Sequence, residues 1–182
     1  MKKVVLTFGL ISGAISAGLM FATLPFIDKI GFDKGAYVGY SAMVLAFLLV
    51  FFGIRSYRDN VSDGYISFGR AFSVGILITL ISCVCYVIAW EIIYYTFMPD
   101  FWEKYSNYVL EKARSSGVSA EELARQTQSM KDFKVTFDNP LWNSLFTFTE
   151  PLPVGLLVTL ISALILRRKR KSLNGEEQLA TS

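Results

Sequence analysis

The chain has 182 residues, a length that suits one domain, and a formal net charge of only +3, which gives no electrostatic reason for a nucleic-acid partner. It contains no histidine, so the commonest general base and the commonest metal ligand are both missing. Apolar residues make up 53%, and the charged residues lie mostly outside four long apolar stretches instead of alternating with them as in a soluble chain.

Val4–Ile27 carries 24 residues without a charge and follows Lys2 and Lys3. About 20 apolar residues span the roughly 30 Å hydrocarbon layer as a helix, so this stretch predicts a first membrane span. Ala17 and Ala22 offer small residues near a cleavage point, but the run far exceeds the ~7–15-residue apolar segment of a signal peptide. Gly9, Gly13 and Ala17 repeat at the spacing that lets helix backbones approach closely in lipid. That spacing serves either packing within one bundle or self-association into a homo-oligomer.

A short polar connection, 28–34, leads to a second span over about 35–54. The third covers about 70–98 and holds Cys83 and Cys85, which point to nearly opposite sides of a helix and read as small buried apolar residues. The insertion at 99–140 predicts two short helices outside the membrane. In the first, Phe101, Trp102, Tyr105, Tyr108, Val109 and Lys112 share a face suited to the headgroup region, and Gly117 marks its end. The second starts at a capping box, Ser119 and Glu122, with Val118 and Leu123 as its hydrophobic staple and Glu121 paired to Arg125. Phe133, Val135 and Phe137 alternate, which predicts an extended piece. A fourth span over about 147–166 has Pro151 and Pro153 in its first turn, where free N–H groups tolerate them. Arg167 to Lys171 ends it, and a tail runs to Ser182.

The expected architecture is an all-α integral membrane protein. It has four transmembrane helices in a single membrane domain, with a short helical extracytoplasmic insertion between the third and fourth. Lys2, Lys3, Arg55, Arg58, Arg70 and the cluster 167–171 fall on one side of such a bundle, which places both termini in the cytoplasm.

Two groups of residues could carry a function. Glu91 and Glu150 lie about 31 and 25 Å along their helices from Arg70 and Arg167, so both are expected near the outer face. Ionisable groups at such depth face a partner or a wet cavity, or else sit at the ordinary interface. The other group is the second connection, Gly53-Ile54-Arg55-Ser56-Tyr57-Arg58-Asp59-Asn60 and then Asp63-Gly64-Tyr65-Ile66-Ser67-Phe68-Gly69-Arg70. Asp63-Gly64 predicts a turn and Ser67 an N-cap. Arg55, Tyr57, Arg58, Asp59, Gly64, Ser67, Phe68, Gly69 and Arg70 form a candidate cytoplasmic loop for docking or for lipid phosphates; a structural re-entry turn accounts for the same residues.

That connection resembles the signature of a family of small bacterial four-span membrane proteins, domain of unknown function 4199. The matching residues are Gly53 to Asp59, after the second span, and Ile66 to Gly69, leading into the third. The resemblance implies a multi-pass protein of the bacterial inner membrane and supplies no activity, cofactor or metal.

No phosphate-binding loop, dinucleotide fingerprint, nucleophile elbow or histidine-based metal set is present. The expected function is therefore that of a non-enzymatic scaffold or accessory protein in the lipid bilayer, binding another membrane component. The alternative is an oligomeric small-solute or proton conduit using Glu91 and Glu150.

Overall fold

The computed structural model describes residues 1–168, and those residues are helical throughout apart from short turns. The expected tail beyond Arg168 lies outside them. The elements are α1 (Lys2–Thr23), α2 (Ile27–Val61), α3 (Phe68–Ile92, continued by a π-helical turn Ile93–Phe97), α4 (Phe101–Ser115), α5 (Ala120–Phe137), α6 (Pro140–Thr149) and α7 (Pro151–Leu166).

Side-chain caps set several helix starts. The Ser67 hydroxyl accepts from the Arg70 N–H at 3.3 Å, and the Ser119 hydroxyl from the Glu122 N–H at 3.2 Å. Asn139 Oδ1 accepts from the Leu141 and Trp142 N–H groups, with Pro140 next to it at the first helical position. Between α2 and α3, Asp63 (φ 51) and Gly64 (φ 81) make a tight turn with left-handed dihedrals.

Among the described residues, three segments are long and apolar enough to cross a membrane: Lys2–Val61, Phe68–Phe97 and Pro140–Leu166. The count is three where four were expected, because the polar connection at 28–34 stays helical. Only Gly31, at φ 68, leaves the helical region there. The first segment nevertheless doubles back between Thr23 and Gly31. α2 packs antiparallel on α1, with Phe8 against Gly53 and the Ser12 hydroxyl donating to the Ala46 carbonyl at 2.9 Å. The last segment begins at Pro140, not near Thr147, and Glu150 keeps α-helical dihedrals, so α6 runs into α7.

The insertion also departs from expectation. Residues 133–137 are the last turns of α5 instead of an extended piece. Phe133 and Phe137, four apart, stack on Trp102 of α4, while Val135 points away and is exposed. Glu122, not Glu121, pairs with Arg125, at 2.8 Å. The aromatic face of α4 is consumed inside the protein. Trp102 is buried towards α5, and Phe101, Tyr105 and Tyr108 surround Phe32 from the α1–α2 turn.

The bundle is packed unevenly along its length. Call the end holding residue 1 and Arg168 the terminal end, and the opposite end, with α4 to α6, the insertion end. The continuous apolar core, including Val5, Phe47, Val50, Ile54, Val74, Ile78 and Ala163, fills the terminal half. Glycines allow the close contacts there. A Cβ on Gly13 would lie 2.5 Å from Cys85 Cβ, and one on Gly53 would lie 2.5 Å from Ile78 Cδ1. Gly75 and Gly155 meet Thr159 and Thr79, whose hydroxyls are 3.1 Å apart.

Candidate functional site

In the insertion half, α1 and α2 separate around open space. An inner chamber of about 130 Å³ is walled by Ser16, Leu19, Met20, Ile30, Val38, Ala42 and Met43, with Tyr86 of α3 also in its wall. A vestibule of about 720 Å³ lies beyond it, under α4, and the two share Ile27, Ile30 and Gly35. On the other side of the α1–α2 gap, a shallow groove shares Leu19, Thr23, Val38 and Ala42 with the chamber and adds Tyr37, Ser41 and Leu45. The chamber is therefore apolar and opens both to the vestibule and sideways between two helices.

Gly35 and Gly39 account for part of this space. Both line the chamber, and a Cβ on either would meet nothing within 4 Å. Their spacing equals that of Gly9 and Gly13, yet the outcome differs: Gly9 is filled by Ile81 and Gly13 by Cys85, both from α3. The Gly9–Gly13 pair thus serves packing within one chain. Ala17, one turn further along, is half-buried.

The vestibule carries the charge. Lys104 of α4 lies 3.0 Å from Asp100 and 3.7 Å from Asp28, and the Asp100 carboxylate, followed by Asp28, holds its pKa above the ordinary lysine value. Lys112 donates to Asp33 at 2.8 Å, and Tyr108 donates to the same oxygen at 2.5 Å. The bond from Asp33, and next that from Tyr108, raises the Lys112 pKa. With Phe32 set among the α4 rings, these pairs fasten α4 across the vestibule.

A ladder of polar contacts joins α3 to the last segment beside this space. Tyr86 donates to Glu150 Oε2 at 3.0 Å; Ser144 donates to Glu91 Oε1 at 2.8 Å. Trp90, which also lines the vestibule, donates to Asn143 Oδ1 at 3.0 Å, as does Thr147 at 3.2 Å. Asn143 is fully buried, and its amide nitrogen makes no hydrogen bond of good geometry among the described residues. The π-turn brings consecutive tyrosines onto one residue: Tyr94 donates to the Asp138 carboxylate at 2.6 Å and Tyr95 to the Asp138 carbonyl at 3.0 Å.

Glu91 and Glu150 share no hydrogen-bond partner among the described residues. Their partners Ser144 and Tyr86 place them on separate rungs, because Glu150 follows Ser144 by six positions, about 9 Å of helix.

The second connection is drawn into the fold. Tyr57 and Ile66 are buried. Ile66 and Arg168 exchange backbone hydrogen bonds at 3.0 and 2.8 Å, and the Arg168 guanidinium lies over the Tyr65 ring. Arg58 pairs with Asp59 at 2.7 Å, with Arg55 at 3.6 Å from the same carboxylate. Phe68 stacks on Phe72, and the Gly69 carbonyl accepts from Ser73. Gly64 supplies the turn, while the Arg55 and Arg70 side chains stand at the surface. The passage clasps the start of α3 to the end of α7.

Sequence reasoning missed the chamber, Gly35, Gly39, Tyr86 and Asn143. An asparagine and a tyrosine inside apolar runs, and a glycine pair, were the available signals.

Across the described residues these features define a helical protein with membrane-length apolar helices and an apolar chamber capped by charge. The model of a family described as a protein of unknown function (DUF4199) matches residues 7–168, and the chain belongs to that family. Neither the curated proteins nor the solved structures contain a match.

Proposed function

We propose that this protein crosses the bacterial inner membrane four times, with its termini cytoplasmic, and acts without catalysis by binding a membrane-soluble guest in the chamber between α1 and α2. The antiparallel packing of α1 on α2 supports four crossings, since the Lys2–Val61 segment would measure about 90 Å if it ran straight, three times the hydrocarbon layer. Among the short flanks of the described residues, Lys2, Lys3, Arg55, Arg58, Arg70, Arg167 and Arg168 at the terminal end outnumber Lys29 and Lys34 at the other, which supports the orientation.

The observation that carries the binding role is the pair Gly35 and Gly39, which face open space instead of a packing helix. A glycine in a helix interior is destabilising by about 1 kcal/mol relative to alanine. At Gly9, Gly13, Gly53, Gly75 and Gly155 that penalty is offset by tight contact; at Gly35 and Gly39, which line the chamber, it leaves only volume. The volume is apolar and reaches the lipid-facing groove, so a guest dissolved in the bilayer can enter without crossing water.

Photoreactive acyl lipid in native membranes tests this reading. Label is expected at Leu19, Ala42 and Met43 in the unaltered protein and is expected to disappear from those sites in Gly39→Leu. Equal labelling along the outward faces of α1 and α7, unchanged by Gly39→Leu, would remove the chamber as a binding site.

A further inference from the structure

The charges at the chamber mouth specify the head of the guest, an inference that rests on the chamber being a binding site. Asp33 is engaged by both Lys112 and Tyr108, and Lys104 by Asp100. Two vestibule charges are less committed. Lys34 makes no ion pair among the described residues. Asp28 is 82% exposed at its side chain, and its one ion pair among them is the 3.7 Å approach of Lys104. One cation without an ion pair among the described residues and one carboxylate held only by a 3.7 Å approach thus stand at the mouth of an apolar chamber, on either side of the bend at Gly31.

We propose that the occupant is a phospholipid with a zwitterionic, amine-bearing head. Its phosphate meets Lys34 and its ammonium meets Asp28, while one acyl chain passes Ile27 and Ile30 into the space beside Gly35 and Gly39. An ammonium is a compact cation suited to a single carboxylate, and a phosphate accepts from lysine as a point charge. The inner chamber, at about 130 Å³, is close to the ~150 Å³ of a dry cavity that accepts a benzene-sized apolar group, so it receives part of a chain and leaves the rest in the α1–α2 groove. A wholly neutral, head-less hydrocarbon would leave both charges unused, and a purely anionic head would set its charge against Asp28.

The test is competitive lipid binding to the full chain in detergent, read by native mass spectrometry with phosphatidylethanolamine and phosphatidylglycerol. The unaltered protein is expected to retain phosphatidylethanolamine preferentially. Lys34→Glu should weaken retention of both lipids by about two- to five-fold, the scale of one exposed charge contact. Asp28→Lys should weaken phosphatidylethanolamine similarly and strengthen phosphatidylglycerol, reversing the preference. Both residues are exposed, so helical content should be unaltered in either variant. Gly39→Leu separates the two levels of the argument. Loss of both lipids in Gly39→Leu, with no head preference in any variant, overturns the head assignment and leaves the chamber standing. Unchanged retention in Gly39→Leu overturns both.

Discussion

The Tyr86 hydroxyl donates to Glu150 Oε2 at 3.0 Å, and the same tyrosine forms part of the chamber wall. One side chain therefore touches both the guest's space and the carboxylate of the last segment. Tyr86→Phe keeps the wall and removes the donor. Thermal unfolding in detergent should show a loss of about 1 kcal/mol, the scale of a polar contact between helices in lipid. Glu150→Gln keeps an acceptor for Tyr86 and should cost less. A larger loss in Glu150→Gln than in Tyr86→Phe would mean that the charge, not the hydrogen bond, matters at that position.

The two glycine pairs should respond oppositely to the same change. Gly13→Leu drives a side chain into Cys85 and should destabilise the bundle by about 1–3 kcal/mol through overpacking. Gly39→Leu meets open space and should be neutral or stabilising by up to about 1 kcal/mol, since it removes a helical glycine. Equal destabilisation by both, measured in one detergent, would contradict the open-walled geometry.

For the clasp, buried residues should outweigh exposed arginines. Ile66→Ala removes a side chain that is 3% exposed and should cost about 2–4 kcal/mol. Gly64→Val forces a β-branched residue to φ 81 and should cost about 1–3 kcal/mol. Joint replacement of Arg55 and Arg70 by Gln should leave stability within about 0.5 kcal/mol. If that double variant unfolds early while Ile66→Ala does not, the passage is held by charge instead of packing.

The fastening of α4 should be weak and salt-dependent. Asp33 and Lys112 are both exposed, so a double-mutant cycle to Ala should give only a small coupling that shrinks as salt rises. The Lys112 pKa is raised in the folded protein, so its contribution is complete below the ordinary value of 10.5 and is lost only as pH climbs through the raised value. Coupling that already falls between about pH 7 and 9 would contradict that direction.

Much of the helical layout was legible because its signals are local. Ser67 and Ser119 cap their helices through bonds to residues three further on, and Asp63-Gly64 turns the chain by its own dihedrals. Phe133, Val135 and Phe137 misled because five residues cannot separate a period of two from a helical turn. The spacing from 133 to 137 is also one turn, and contact with Trp102 decides between them. The charges of 28–34 mark a polar connection between spans, but the stretch is helical save at Gly31, and its two aspartates reach α4. The chamber was illegible for a deeper reason: Gly9–Gly13 and Gly35–Gly39 are the same word in the sequence, and only the neighbouring helix shows that one is filled and the other empty.

The uneven packing shapes the α1–α2 pair. On one side of the Ser12–Ala46 bond the helices are wedged together around the core; on the other α1 and α2 stand apart around the chamber. The two helices are nevertheless tied at both limits of the opening, by the Ser12–Ala46 bond on one side and by the turn through Thr23 and Gly31 on the other, where Asp28 and Asp33 reach α4. The chamber is therefore an eye in the helix pair, closed at top and bottom and open only across the pair.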